Sequence, residues 1–203
     1  MVRLEAFSDG VLAIALTLLV LDLRVPGEGQ ADAGLAAYLR GQWPSYAAFA
    51  ASFLVIGIIW LNHRAVLGLL SRADHGIRVL NLFLLAAVSI IPFPTSLLAE
   101  YAVGHHSRAD QRTAVLVYGG VMVAMSGLFN LLWRRVRAHP ELRRPGTTLE
   151  SLRTRHVRFN VGLATYPLVT LIGLLDVRLF LVGLLVLAFL YLLPAGESDP
   201  VEE

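Results

Sequence analysis

The residues whose types and spacing could do chemistry gather at the head of the chain, in Arg3-Leu-Glu-Ala-Phe7-Ser8-Asp9. The next stretch, Gly10 to Leu23, is apolar except for Thr17 and Asp22. A guanidinium, a hydroxyl and a carboxylate opening a stretch of membrane-spanning length are groups that hydrocarbon cannot solvate, so they face protein or water. A plain anchor needs none of them, and the chemistry they suggest is the handling of ions along a helix. Two later positions could join them. Trp60 and His63 are three apart, on one face of a helix, and Asn81 opens another apolar stretch. A cluster of Arg3, Ser8, Asp9, His63 and Asn81 would satisfy polar groups that lipid leaves bare. The alternative for Trp60 and His63 is an interfacial aromatic with a polar neighbour.

Enzyme signatures are missing. There is no Gly-x-Ser-x-Gly, His-Glu-x-x-His, phosphate-loop or dinucleotide fingerprint, and no catalytic residue, metal ligand or cofactor is assigned. Ser126-Gly127 lies in an apolar run without a second feature to make a nucleophile, and reads as small residues packing against another helix. His105 and His106 are adjacent, so their side chains diverge; they, His139 and His156 read as loop histidines. The absence of cysteine excludes disulfides, thiolate metal sites and cysteine nucleophiles.

The elements that must position these residues are membrane helices. Of 203 residues 56% are hydrophobic and 16% charged, against roughly 25% charged in soluble domains, and the mean hydropathy is +0.65. All the basic residues are arginine, which invites no nucleic-acid reading. About 20 apolar residues span a bilayer, and six stretches fit: about 4–23, 44–61, 77–98, 113–133, 157–175 and 179–193. Glu5 and Asp9 stand where a cleaved leader would be basic, so the first stretch is expected to stay as a span. Leu35, Tyr38, Leu39 and Trp43 recur at helical spacing and suggest a short interfacial helix between the first two spans. Pro92 and Pro94 should kink the third. Thr147 to Glu150 has capping-box spacing ahead of the fifth, and Asp176 to Arg178 is only a turn, so the sixth runs back antiparallel. Residues 1–193 form one six-helix domain, and 194–203 an acidic tail expected to be disordered.

Arginine distribution orients the spans. With a cytoplasmic N-terminus, the inner segments hold Arg3, Arg64, Arg72, Arg78 and the run from Arg134 to Arg158. The outer ones hold Arg24, Arg40, Arg108, Arg112 and Arg178. Both termini are therefore expected in the cytoplasm, and the arginine run is a topology signal that could also meet lipid headgroups.

Along the first span, Ile14, Leu18 and Leu21 recur at spacings of four and three and share one stripe, with Thr17 beside it. Periodicity alone fits a stripe facing lipid or other helices. The motif Arg3-x-x-x-Phe7-Ser8-Asp9, with Trp60-x-x-His63, Asn81-Leu82 and Pro92-Phe93-Pro94-Thr95, closely resembles the signature of the transmembrane protein 175 family of potassium channels. The likeness covers the first hundred residues in ordered motifs and the whole chain in span count.

Animal members carry two six-helix repeats and this chain one, so the resemblance implies a homotetramer, an all-α membrane protein with four first helices around a central pore. It implies a constriction made by Ile14, Leu18 and Leu21, with the Thr17 hydroxyl near it, and a helix-end network of Arg3, Phe7, Ser8, Asp9, Trp60, His63 and Asn81. Asp22 either concentrates cations at the outer mouth or is a solvated interfacial carboxylate. The partners implied are other copies of the chain, membrane lipids and permeant potassium, in a prokaryotic cytoplasmic membrane. No Thr-Val-Gly-Tyr-Gly carbonyl filter is present, so an apolar neck would do the selecting. Two other classes remain. A small secondary transporter would need a polar midplane site, which these spans scarcely offer, and a non-conducting membrane scaffold would need none.

Overall fold

The computed structural model describes residues 1–27, 34–102, 106–147 and 162–192. Helix α1, Val2–Leu18, continues as a 3-10 turn, Leu19–Asp22. The short α2, Leu35–Gly41, precedes α3, Trp43–Leu67. Then come α4, His75–Ser89, α5, Pro92–Tyr101, and α6, Arg108–Ala138. The last two are α7, Gly162–Gly173, and α8, Val177–Leu192.

Four stretches are long and apolar enough to cross a membrane: Val2–Asp22, Trp43–Leu67, His75–Tyr101 and Arg108–Ala138. The chain is a multi-pass membrane protein. The expected fifth and sixth spans appear as the shorter α7 and α8. The start of the fifth, its capping pattern beyond Thr147, and the tail from 194 lie outside the described residues. Span limits shift outward where polar residues can still be accommodated. Helix α3 carries His63 and Arg64 inside it, and Trp43 opens α3 instead of closing the interfacial helix. At 31 residues, α6 is about 46 Å long, well beyond a hydrocarbon core of about 30 Å, so its ends stand in water.

The third span is divided. Pro92 and Pro94 have no N–H for the carbonyls four residues back. The chain crosses the gap with tighter bonds, Ile91 N to Val88 O at 3.0 Å and Phe93 N to Ile90 O at 3.1 Å. Just beyond the break, the Thr95 and Tyr118 hydroxyls meet that of Ser52, at 2.7 and 2.9 Å, tying α5, α6 and α3 inside the apolar core. A hydroxyl buried without a partner would be destabilising there; together these three satisfy one another.

Helix α3 packs on α5 and α8, α4 on α6, and α1 on α3 and α4. Small residues set the approach of the last helices: a Cβ on Gly119 of α6 would collide with Thr170 of α7, and one on Gly183 with Val169. Ser126 is buried, as packing required, but Gly127 beside it faces open space.

The end of the bundle rich in arginine is strapped shut. The segment after α6 lies on the α3–α4 loop, with Ser71 N donating to Leu142 O at 2.9 Å and Arg144 N to Leu69 O at 2.8 Å. Here His139 is not simply a solvated loop residue, for its Nδ1 lies 2.8 Å from Glu141 Oε1. Asp74 caps α4, accepting from Ile77 N at 2.8 Å, and takes Arg135 Nη2 of α6 at 2.6 Å. The Arg135 guanidinium and the capped backbone N–H hold its carboxyl down at about 2, below the usual 3.8. Because the folded value is depressed, the stabilisation is complete above the unfolded pKa of 3.8 and fades as pH falls through about 2. An N-cap is worth about 1 kcal/mol and a part-exposed ion pair about 0.5 kcal/mol. Asp74→Ala should therefore destabilise the detergent-solubilised protein by about 1.5 kcal/mol. Melting curves from about pH 5 to about pH 8 should show the same deficit throughout; a deficit that shrinks across that range would exclude an ionised cap.

Candidate functional site

In an α-helix each residue turns 100° about the axis, since 3.6 make a turn. Phe7, Gly10, Ile14, Thr17 and Leu18 therefore fall within an arc of about 100°. The 3-10 turn then places Leu21 directly above Leu18, because residues i and i+3 eclipse there. This arc points away from the bundle. Ile14 is 60% exposed, Leu18 41% and Leu21 73% in the single chain. Ser8, Leu12 and Ala15, on the opposite side, are buried against α3 and α4, and Leu19 in the 3-10 turn against α3 and α5. The Thr17 hydroxyl donates back to Ile14 O at 2.9 Å, leaving its oxygen lone pairs free for the open side.

The head of α1 is fixed by two sets of bonds, not by one cluster. In the first, His63 Nε2 lies 2.6 Å from Asn81 Oδ1, and Asn81 Nδ2 donates to Ser8 Oγ at 3.0 Å. Ser8 Oγ in turn donates to Leu4 O at 2.9 Å. All three side chains are buried. With the Asn81 amide donating to Ser8, its oxygen must accept, so His63 carries its proton on Nε2. In the second set, Trp60 Nε1 donates to Asp9 Oδ1 at 2.8 Å, and the Arg64 guanidinium lies over the Trp60 ring, 5.6 Å from its centre. Trp60 thus bonds α1 directly, while His63 reaches it through Asn81 of α4. Arg3 is exposed and, among the described residues, joins neither set. Phe7 is exposed too, on the open arc.

At the opposite end, Asp22 is not the solvated carboxylate that its position suggested. Its Oδ1 accepts from Ser96 Oγ of α5 at 2.5 Å, and its Oδ2 is buried without a hydrogen-bond partner. It turns back toward the chain's own α5 while Leu21 beside it is open. Sequence reasoning missed Ser96. It also passed over Glu5, whose Oε1 is buried without a hydrogen-bond partner, and used Arg64 only for orientation. For Arg64 a signal existed, the four-residue step from Trp60 that stacks one side chain over the other. Of the loop histidines, His106 is exposed with its ring 4.5 Å from that of Tyr101, and His105 and His156 lie outside the described residues.

Helix α1 is thus clamped at its charged end and bare along an apolar stripe that its own chain leaves uncovered. A family profile described as "Endosomal/lysosomal potassium channel TMEM175" matches residues 3–92, which takes in α1, both sets of bonds and the start of α5. A protein of Streptomyces collinus named as a potassium channel is 42% identical over 189 residues, 93% of this chain and 90% of that protein. The crystal structure of a lysosomal potassium-selective channel TMEM175 homolog from Chamaesiphon minutus superposes with a TM-score of 0.82 at 37% identity, covering 93% of this chain and 94% of that one. The Gallus gallus relative, an "Endosomal/lysosomal proton channel TMEM175", is 30% identical across 83% of this chain but only 34% of its own length. With Ser8 and Asp9 of the signature bonded to Asn81 and Trp60, and with likeness to bacterial relatives over nine-tenths of each chain, the chain belongs to the TMEM175 family.

Proposed function

We propose that the protein is a potassium-permeable channel, a homotetramer in a prokaryotic cytoplasmic membrane with both termini inside. Four copies of α1 line its axis, and α7 and α8 complete six spans in each chain. The observation that carries the reading is the open apolar stripe of α1 at the family's signature helix. The most apolar window of that span is 22% buried within one chain, against 44% in each of the other three long spans. A span equally apolar but half as covered has a face reserved for something outside its own chain. Lipid would accept the apolar part of that face but gives no reason for the polar bonds that fix its rotation so firmly.

Rings of Ile14, Leu18 and Leu21 would form the neck, with Thr17 offering hydroxyl oxygens between them. Such a neck conducts when it widens enough to wet, or when an ion sheds water in passing. Potassium holds its water less tightly than sodium and is favoured, though less sharply than by a carbonyl filter. The ends are oriented by arginine, with the strapped end carrying Arg64, Arg72, Arg134 and Arg143 in the cytoplasm. Its exposed arginines would also lie level with lipid phosphates.

The vertebrate relatives' name gives one specific rival permeant ion, the proton. Purified protein in potassium-loaded liposomes should release potassium down its gradient, faster than sodium is released from a matched preparation. A pH-sensitive dye inside the vesicles separates proton flux from potassium flux. Cross-linking of the reconstituted protein should stop at four chains. Vesicles that hold every gradient unchanged would overturn the proposal and favour a non-conducting scaffold. Flux that saturates and requires a second solute would favour a transporter.

A further inference from the structure

The two ends of α1 are held differently. The inner end is sewn in by buried side chains on α3 and α4. At the outer end, among the described residues, Leu19 is buried and Ser96 Oγ donates to Asp22 Oδ1 at 2.5 Å. Ser96 Oγ also lies 3.1 Å from Pro92 O, so a second acceptor already waits for its proton. The other outer contacts are weak. Arg24 Nη1 is 3.4 Å from Glu100 Oε2 with both side chains mostly exposed, and Gln42 Nε2 reaches Arg24 O at 3.1 Å. Beside this end lies a cavity of about 410 Å³, open to the surface and lined by Leu21, Asp22, Tyr38, Gly41, Ser96 and Glu100. Its walls are polar enough to hold water, so moving a helix end into it displaces water without exposing apolar surface.

Resting on the channel reading, we propose that the Asp22–Ser96 hydrogen bond is a latch on the outer end of α1. The cavity beside it is the space into which that end swings, carrying Leu21 away from the axis. Released, Ser96 turns its proton to Pro92 O, and the Asp22 carboxylate is hydrated in the cavity. The 3-10 turn suits such a hinge, since its hydrogen bonds are poorer than those of the α-helix below.

The chain has no cysteine, so introduced thiols are unique. Ser96→Ala should raise potassium flux about three- to tenfold. Gly41→Phe places a ring in the cavity, where a Cβ on Gly41 meets nothing within 4 Å, and should lower flux by a similar factor. The Asp22→Cys, Ser96→Cys pair should conduct less when oxidised and recover on reduction. A nitroxide on Val25→Cys reports the motion whether or not ions flow, its spectrum sharpening with Ser96→Ala and broadening with Gly41→Phe. Wild-type flux that Ser96→Ala and Gly41→Phe both leave unchanged would overturn the latch while leaving the channel standing. An unaltered nitroxide spectrum in both variants would overturn it even in protein that does not conduct.

Discussion

Ile14→Asn should make the vesicles leak, raising potassium flux about thirtyfold and narrowing the preference for potassium over sodium. In the proposed tetramer one substitution becomes four at the axis. If each carboxamide lowers the free energy of wetting the neck by only about 0.5 kcal/mol, less than the ~0.8 kcal/mol of a single buried methylene, the sum is about 2 kcal/mol. That corresponds to a factor of about thirty in rate. Leu18→Asn should act in the same direction and less strongly, since Leu21 eclipses it and keeps a second apolar ring above. The control is Leu116→Asn on α6, where Leu116 is 53% exposed in one chain. Both positions face outward in the single chain, and only the channel reading separates them. If Leu116→Asn leaks as Ile14→Asn does, or if neither leaks in vesicles whose wild type conducts, the stripe on α1 is a lipid face and the neck lies elsewhere.

The arrangement of this site was legible in the sequence wherever a residue was out of place for its surroundings. Ser8 and Asp9 at the head of an apolar helix had to find partners, and so did His63 and Asn81. Polar groups at one level of a membrane protein have few places to go, so three of those four ended in one chain of bonds. What could not be read was how the bonds divide. A carboxylate looks like the strongest group of the four, yet Asp9 takes the part-buried bond to Trp60, while the neutral Ser8 goes into the core. Burial decides this: a neutral hydroxyl satisfied by two bonds is tolerated where a charge with one partner is not.

Arg3 shows the opposite, since its place in the motif suggests a contact, whereas a guanidinium at the first helical turn reaches water at little loss. The outer end was harder still, because Ser96 is an ordinary residue four beyond a proline. The join at Ile90 and Ile91 was foreseen as a kink, and became two helices because two missing donors fall within one turn. The Ser52, Thr95 and Tyr118 knot left no trace in periodicity, for each of its members is a single polar residue on a different helix.

The bond chain at the inner end gives the larger prediction for stability, and it ranks Asn81 above the motif aspartate. Asn81 is the only member that bonds two side chains of other helices, accepting from His63 and donating to Ser8. Asn81→Leu keeps the branched shape but strands the His63 N–H, a buried donor, at about 1–3 kcal/mol, and removes the bond that holds α1 to α4. Ser8→Ala strands only one N–H of Asn81, and Asp9→Ala leaves the Trp60 indole N–H at a part-buried edge. A loss of about 3 kcal/mol for Asn81→Leu corresponds to about 10 °C in melting temperature for a chain of this size. About half of that is expected for Ser8→Ala and less for Asp9→Ala. The coupling between Asn81 and His63 should be smaller than the single losses. Interhelical hydrogen bonds in membranes average about 0.6 kcal/mol in double-mutant cycles because a loosened helix finds other partners. The informative comparison is therefore between truncations. Melting in detergent, with light scattering to count chains, should place Asn81→Leu first in both unfolding and dissociation. If Asp9→Ala melts lower than Asn81→Leu, the carboxylate carries the inner clamp, and the buried amide only fills the space beside it.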